Sequence, residues 1–379
     1  MPHAPGDALS SRHTAIRDRL HAASLDALVV VSLPNIAYLS NFAGSTAVVV
    51  LTADSLRFIT DSRYVAEVRD MERTEHGCPG LELVVVDGSY DATLTEVLSA
   101  GQWSRIGFEA AHLSVARHRW LEARLAHSAA HGQLIATEGI VEGVRVVKDS
   151  YEVSVLRTAG RMLTEVTGHV LRLVRAGISE RELALLIDIA LKRAGFERPA
   201  FETIVASGPN AALPHARPSE RTLGEGDLVV LDFGGVYDSY CVDLTRTVAV
   251  GSASSRARDV YEAVREAHDR AVAAVAPGQS RFAIDAAARD WLTTAGMGAA
   301  FGHGTGHGLG LEVHEAPRIT RLAPDVDPSM EAVTPGMVFT IEPGAYFPGW
   351  GGVRIEDDVL VTDTGVELLT TAPTELMTI

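Results

Sequence analysis

Residues 225–234 read Glu-Gly-Asp-Leu-Val-Val-Leu-Asp-Phe-Gly, and residues 335–344 read Pro-Gly-Met-Val-Phe-Thr-Ile-Glu-Pro-Gly. In each stretch an apolar run ends in one carboxylate, Asp232 or Glu342, and a glycine follows two residues later. Short apolar runs bounded by turn residues are typical of buried β-strands. A charged carboxylate there is costly unless a partner charge meets it. The two stretches therefore predict a duplicated strand and a charged site.

The two stretches lie 110 residues apart, and each follows a helical pattern of the same design. One pattern begins at Gly177-Ile178-Ser179 and ends at Gly195, and the other begins at Gly278-Gln279-Ser280 and ends at Gly296. Serine is a preferred residue at a helix start and glycine at a helix end. Chance is the alternative, since glycine and apolar residues are common. The shared order favours duplication and predicts a pseudo-twofold fold with a site on its axis.

The first copy contains a second acidic residue on its returning strand. After Asp232 the chain turns and returns over residues 241–250. If the turn centres on Tyr237–Asp238, Asp243 lies directly opposite Asp232, and a shared cation would remove their repulsion. A turn-flanking and a surface aspartate are the alternative, which accounts for Asp243 but poorly for Asp232.

The second copy repeats the arrangement. A strand over residues 352–361 brings Glu356 back beside Glu342 after a glycine-rich turn. Arg354 precedes Glu356 by two residues, so the two side chains share a strand face. Arg354 could pair with a carboxylate and orient it, although a surface ion pair would count for little.

A glycine-rich segment lies between the copies. Residues 301–310 read Phe-Gly-His-Gly-Thr-Gly-His-Gly-Leu-Gly, with His303 and His307 four residues apart. The zinc-protease helix also spaces two histidines by four, but it carries glutamate where this chain has Gly304. Alternate glycines oppose a helix and favour extended backbone close to a ligand. Two further histidines near these segments are candidate site residues, His215 and His314.

Four carboxylates and one imidazole form an oxygen-rich set of metal ligands. Such a set favours Mn²⁺, Fe²⁺ or Co²⁺ over a structural zinc cage of thiolates. Five ligands, two of them able to bridge, fit two ions about 3.5–4 Å apart, which can hold a hydroxide and polarise a carbonyl. The sequence therefore predicts amide hydrolysis at a two-metal site. The five ligands are Asp232, Asp243, His307, Glu342 and Glu356.

The first part of the chain has a different pattern. Apolar runs predict strands, and helical patterns lie between or beside them, which indicates an α/β domain. No cluster of His, Asp and Glu suggests chemistry there. The predicted strands are 26–32, 46–52, 56–60, 81–86 and 106–108, and the predicted helices are 12–23, 92–99 and 114–126. Asp149 and Glu152 then resemble a capping box that opens a long amphipathic helix.

The bulk properties exclude some classes of protein. A length of 379 residues suggests two domains, or three at the outside, and 46% apolar and 22% charged residues are ordinary for a globular protein. The net charge of −16 argues against a nucleic-acid partner. No long apolar run or secretory signal is present, so we expect no membrane association and a cytoplasmic location. Cys78 and Cys241 are expected to be buried reduced thiols.

The order of the five ligands resembles the metallopeptidase family of methionine aminopeptidase, aminopeptidase P and prolidase. The motifs that carry the resemblance are residues 231–235, 303–308, 341–344 and 352–358. Residues 35–39 and 60–64 resemble the proline-specific branch. The resemblance covers nearly the whole chain. It implies an α/β creatinase-type N-terminal domain, residues 1–141, followed by an α+β catalytic domain with the pita-bread (creatinase/aminopeptidase) fold and its internal pseudo-twofold repeat, residues 142–379.

The resemblance also implies a role for each ligand. Asp232 would bind one ion, whereas His307 and Glu342 would bind the other. Asp243 and Glu356 would bridge the two ions. Glu342 would in addition carry the proton of the attacking hydroxide.

Five further side chains receive roles in the same way. His215 and His314 would stabilise the tetrahedral intermediate or hold the substrate. His303 and Tyr346 would line a proline pocket. Arg354 would orient a bridging glutamate.

The function implied is a metal-dependent exopeptidase that hydrolyses Xaa-Pro bonds in dipeptides or short peptides, as a prolidase or an Xaa-Pro aminopeptidase. Two divalent ions are expected, with Mn²⁺ first and Co²⁺, Zn²⁺ or Fe²⁺ as alternatives, and a homodimer is a family expectation. A two-metal hydrolase of another amide or a phosphoester, and a non-catalytic peptide-binding module on the same fold, are the alternatives. Relatives that lost the activity lack the ligands, and this chain retains all five.

Overall fold

The computed structural model describes residues 3–126, 132–323, 327 and 331–379. The chain divides into two compact units, Met1–Arg145 and Val146–Ile379. Within the described ranges, we find no helix with the length and apolar character needed to cross a membrane.

The first unit is built on one six-stranded mixed sheet with the strand order β4-β3-β2-β1-β5-β6. Its strands are β1 (Ala27–Val30), β2 (Val48–Thr52), β3 (Leu56–Thr60), β4 (Leu81–Val85), β5 (Arg105–Glu109) and β6 (Gln133–Thr137). Its helices are α1 (Gly6–Ala22), α2 (Leu33–Ser40), α3 (Val65–Met71), α4 (Tyr90–Ala100), α5 (Val115–Leu125) and α6 (Glu142–Arg145). The predicted α/β class is confirmed. The sequence patterns did not identify β6, α2, α3 and α6, which are short or lack a fully buried face.

The second unit holds the remaining elements. Its α-helices are α7 (Ser150–Val170), α8 (Glu180–Ala194), α9 (Ser255–Ala273) and α10 (Arg281–Thr294), and short 3-10 helices cover Gly208–Ala212 and Gly298–Ala300. Its strands are β7 (Arg198–Pro199), β8 (Ile204–Ser207), β9 (Leu228–Tyr237), β10 (Tyr240–Ala249), β11 (Gly306–Gly308), β12 (Glu315–Ile319), β13 (Val338–Ile341), β14 (Gly344–Phe347), β15 (Gly351–Arg354), β16 (Asp357–Val361) and β17 (Val366–Leu368).

Helix α7 begins with the predicted capping box. The Asp149 carboxylate accepts from the backbone N–H of Glu152, and the Glu152 carboxylate accepts from the backbone N–H of Asp149. A stripe that includes Val155, Leu163 and Val170 is buried against the sheet of β9 and β10. Burial of one apolar face stabilises such a helix more than its intrinsic propensity does.

Matching backbone hydrogen bonds confirm the internal duplication. Before α8, the Gly177 N–H donates to the Leu223 carbonyl, and before α10 the Gly278 N–H donates to the Val333 carbonyl, both at 2.8 Å. The return bonds also match. The Leu223 N–H donates to the Ile178 carbonyl, and the Val333 N–H donates to the Gln279 carbonyl. Each copy pairs two helices with a hairpin, and each has its own apolar core.

The first hairpin differs in register from the prediction. Its turn consists of Asp238 and Ser239, which have φ values of 48° and 68°. Positive φ at both central residues suits the right-handed twist of a two-residue hairpin. Asp232 therefore lies opposite Thr245, and Asp243 lies opposite Gly234, so the predicted direct Asp232–Asp243 pairing is wrong. The observed register differs from the predicted one by two residues. Because side chains alternate between the faces of a strand, both carboxylates still lie on the same face of the sheet.

The second hairpin is broken where the sequence predicted one continuous returning strand. β13 pairs with β16 and β14 pairs with β15, and the breaks fall at Glu342–Pro343 and Ile355–Glu356. Proline has no N–H for a ladder bond. At the break in the returning strand, the Glu356 N–H donates to the Thr245 carbonyl of β10 at 3.1 Å. This contact joins the two copies at their carboxylates.

We expect Gly306→Ala to destabilise the second unit, because an added Cβ would lie 1.8 Å from the Thr340 carbonyl oxygen, a backbone atom. The cost should be about 2 kcal/mol or more, as in overpacked cores. Gly302→Ala is the matched control, because a Cβ there meets nothing within 4 Å. Denaturant unfolding of both variants measures the difference, and equal stabilities would show that the close approach is not a constraint.

Candidate metal centre

A cavity of about 680 Å³ opens in the second unit and is lined by residues that come from both copies. It collects every predicted site residue except Tyr346, which is buried beside it. Its lining includes Asp232, Asp243, His307, Glu342, Glu356, His215, His303, His314 and Arg354. The five predicted ligands therefore meet in one place, although they are spread over 125 residues of sequence.

The ligand atoms lie close enough to share cations. One carboxylate oxygen of Asp243, one of Glu356 and a ring nitrogen of His307 lie within 4.8 Å of one another. The Nε2 atom of His307 is 3.7 Å from Oε1 of Glu342. Among the described residues, the buried Oδ1 atoms of Asp232 and Asp243 have no hydrogen-bond partner. Buried carboxylate oxygens without donors fit a divalent cation.

The carboxylates are in an environment that disfavours their charge. Burial, followed by repulsion from Asp232 and Asp358, raises the pKa of Asp243 well above its ordinary value. Burial and the charge of Asp243 act in the same direction on the pKa of Glu356. Burial raises the pKa of Glu342 to about 7. Bound cations would reverse these shifts, because they replace the lost hydration and remove the repulsion.

His307 is held as a neutral imidazole. Its pKa is lowered to about 3, first by burial and then by the charge that His314 would carry, whose ring centroid is 4.4 Å away. Nδ1–H donates to the Gly308 carbonyl at 3.1 Å. With the proton on Nδ1, Nε2 carries the lone pair, which is the tautomer that a metal ligand needs.

Arg354 contacts a different ligand from the one expected. Its Nη2 donates to Oδ2 of Asp232 at 2.5 Å, and no hydrogen bond to the Glu356 carboxylate is found among the described residues. It reaches Glu356 through Thr245, whose hydroxyl accepts from Arg354 Nε at 3.3 Å and donates to Oε2 of Glu356 at 2.6 Å. The sequence interpretation missed Thr245. Its position two residues after Asp243, on the same strand face, was the available signal.

His303 and Tyr346 form one hydrogen-bonded chain with Arg354. Arg354 Nη1 donates to the Tyr346 hydroxyl oxygen at 2.9 Å, and that hydroxyl donates to Nε2 of His303 at 2.9 Å. Nδ1–H of His303 donates in turn to the Gly304 carbonyl at 2.7 Å. Burial lowers the pKa of His303 to about 4, so the ring is neutral. His303 lines the cavity, and Tyr346 holds it in place from behind.

His215 and His314 border the cavity from two loops. His314 is exposed at the surface but packs edge-on against His307, and partial desolvation lowers its pKa. His215 is exposed and lies between Pro214 and Ala216, both of which also line the cavity. Both imidazoles therefore face the space in front of the ligand cluster.

Two family models match the chain. Residues 154–363 match metallopeptidase family M24, and residues 12–147 match the creatinase/prolidase N-terminal domain. The chain is 32% identical over 373 residues to a protein of Pyrococcus horikoshii named Xaa-Pro dipeptidase, which covers 98% of this chain and 100% of the relative.

Solved structures are similar to this chain over nearly its full length. A structure described as an Xaa-Pro dipeptidase from Bacillus anthracis has a TM-score of 0.90 and 34% identity, with 98% of this chain and 100% of that chain covered. An X-Pro aminopeptidase from Thermotoga maritima has a TM-score of 0.84 and 31% identity, covering 96% and 100%. The fold, the buried ligand cluster and the two matched models lead to one assignment: this chain belongs to metallopeptidase family M24 and carries a creatinase/prolidase N-terminal domain.

Proposed function

We propose that the protein is a metal-dependent exopeptidase that hydrolyses the Xaa-Pro bond of dipeptides or short peptides. The observation that carries this proposal is the convergence of four carboxylates and one neutral imidazole in a single cavity. The relatives named Xaa-Pro dipeptidase and X-Pro aminopeptidase support the substrate class. A prolyl bond is a tertiary amide without an N–H, so an enclosed site that grips the ring and the free amine suits it.

We assign the ligands to two ions. Asp232 would hold one ion, His307 and Glu342 would hold the other, and Asp243 and Glu356 would be shared between them. When bound, the ions lower the pKa of a water molecule and polarise the scissile carbonyl. We expect Mn²⁺ because the donor set is rich in oxygen, with Co²⁺, Zn²⁺ and Fe²⁺ as alternatives.

The residues around the ions have separate tasks in this proposal. Glu342 would carry the proton of the attacking hydroxide. His215 and His314 donate to the carbonyl oxygen as charge develops on it. His303 and Tyr346, fixed by their hydrogen-bonded chain, form a wall for the proline ring. Arg354 fixes Asp232 directly and Glu356 through Thr245.

Two alternatives make different predictions. A non-catalytic peptide-binding module would bind Xaa-Pro peptides without turnover, and a two-metal hydrolase of another amide would cleave bonds that lack proline. The retention of all five ligands favours turnover. The homodimeric state and the cytoplasmic location also belong to this proposal, and sedimentation analysis of the full chain tests the first of them.

We expect the Mn²⁺-loaded protein to cleave an Xaa-Pro dipeptide, an Xaa-Pro-Yaa tripeptide or both, at a rate well above that for an Xaa-Ala dipeptide. Release of the first amino acid, followed by chromatography, measures each rate. The ratio of dipeptide to tripeptide turnover separates a dipeptidase from an aminopeptidase. Failure to cleave either proline peptide, with metal bound at the centre, would refute the proposed function.

Asp243→Ala should lose metal and activity together, because the substitution removes a bridging carboxylate. We expect kcat/KM to fall by more than about 100-fold, the upper range for loss of a residue that only supports a ligand. Asp259→Ala, on the exposed face of α9, is the control and should retain both properties. Metal analysis and circular dichroism accompany the assay. Full turnover by Asp243→Ala would disprove its bridging role.

Glu342→Gln should stabilise the metal-free protein at about pH 8. The pKa of Glu342 is about 7 in the folded chain and 4.5 in the reference state, so its contribution to the unfolding free energy falls as pH rises between these values. The amide does not titrate, and we expect the variant to gain roughly 1–3 kcal/mol over wild type at high pH. The gain should vanish near pH 4.

With Mn²⁺ added, the order at about pH 8 should reverse, because wild type binds the ion more tightly. Melting curves of wild type and Glu342→Gln, each in chelator and in Mn²⁺, give the four stabilities to be compared. A Glu342→Gln variant that is less stable than wild type in chelator at high pH would contradict the electrostatic account.

A further inference from the structure

The loop of residues 208–218 carries His215 and connects β8 to Ser219. It begins with the short 3-10 helix Gly208–Ala212, and its later residues Pro214–Arg217 line the cavity. The His215 side chain is exposed, so its own packing does little to fix it. Other contacts must set its position.

Glu180 closes the base of this loop. It is the first residue of α8 and is fully buried. Ser207 donates to Oε1 of Glu180 through its N–H and its hydroxyl, both at 2.7 Å. Ser219 donates to Oε2 through its N–H at 3.0 Å and its hydroxyl at 2.6 Å, and the Asn210 amide donates to both oxygens. One carboxylate therefore ties the two ends of the loop together.

The carboxylate remains ionised in this position. Burial would raise the pKa of Glu180, but the hydrogen bonds from Ser219, Ser207 and Asn210 outweigh burial and lower it. A buried charge is tolerated only with such complete hydrogen bonding. Loss of the charge would weaken every donor contact at once.

The opposite side of the loop is fixed against the second copy. A Cβ at Gly352 would lie 2.2 Å from the Ala211 carbonyl oxygen, so the 3-10 helix packs directly on the backbone of β15. Arg354 Nη1 donates to the Pro214 carbonyl at 3.3 Å. His215 directly follows Pro214. It therefore lies between the residue held by Arg354 and Ser219, which is held by Glu180.

The duplication shows that a helix start of this kind does not require a carboxylate. The Glu180 N–H donates to the Arg221 carbonyl, and the Arg281 N–H at the start of α10 donates to the Glu331 carbonyl in the same way. The second copy thus has an arginine at the equivalent place, and its side chain pairs with Glu331. In the first copy, the carboxylate at this helix start holds the loop that carries His215.

We propose that Glu180 is a positioning residue that holds His215 at the cavity for the reaction. The proposal rests on the proposed function, in which His215 donates to the developing oxyanion. Glu180 touches neither substrate nor metal and acts only through the 208–218 loop. Its loss should therefore reduce kcat and leave metal binding intact.

The first test is Glu180→Gln, which keeps the size of the side chain. Its NH₂ group cannot accept the hydrogen bonds that Ser207 or Ser219 donates to the carboxylate. We expect kcat for an Xaa-Pro peptide to fall about 10- to 100-fold, as for a misplaced catalytic group. KM and metal content should stay within about twofold of wild type. Glu182→Gln, exposed on the same helix turn, is the matched control and should behave as wild type.

A double-mutant cycle with His215→Ala separates positioning from general structural support. If Glu180 acts through His215, Glu180→Gln should lower kcat by less than about twofold in the His215→Ala background. Ser219→Ala removes one of the hydroxyl donors and is the milder variant if Glu180→Gln does not fold. It should show a smaller loss of kcat with the same dependence on His215.

Amide hydrogen exchange gives a readout that does not depend on activity. Exchange at residues 207–219 should accelerate in Glu180→Gln and stay unchanged in Glu182→Gln. An equal loss of kcat with and without His215, or unchanged exchange in the loop, would overturn the proposal. If wild type cleaves no Xaa-Pro peptide, the proposed function fails, and the exchange rates alone then decide whether Glu180 holds the loop.

Discussion

The central constraint of this protein is the clustering of four carboxylates from two halves of one unit, three of them buried, without protein cations to balance them all. The contrast with nearby acidic residues makes this clear. Asp357 receives two hydrogen bonds from Arg246 at 2.8 and 3.1 Å, and Asp285 receives two from Arg289 at 2.7 Å. These carboxylates have permanent partners. In the described part of the chain, Asp243 and Glu356 have no comparable arginine, and burial raises the pKa of each.

Hydrogen bonds between the two hairpins concentrate this charge. The second hairpin breaks at Glu342–Pro343 and at Ile355–Glu356, and the freed backbone of Glu356 bonds to Thr245 of the first hairpin. The same threonine links Glu356 to Arg354. A duplicated sequence thus produces an asymmetric centre, because only one of the two hairpins carries the proline that interrupts its ladder. His303 and His307 are neutral, so neither adds a positive charge that would balance the carboxylates.

Much of the fold could be predicted because its signals are local. Paired glycines and serines mark α8 and α10, and Asp149 with Glu152 marks the start of α7. The register of the first hairpin could not be predicted in this way. Its turn uses Asp238 and Ser239 at positive φ, where a glycine would have been the usual signal. In the first unit, β6 was missed because its residues are only partly buried and lack a clear apolar pattern.

The sequence by itself determined the donor set, the duplication and the glycine-rich backbone near the site, because each follows from residue type and short-range order. Tertiary structure decided which donors face each other. Arg354 meets Asp232 across 122 residues, and Glu180 meets Ser219 across 39. Such partners depend on strand register and on the packing of loops against strands. These are set by the free energy of the whole unit and leave no signature in the neighbouring residues.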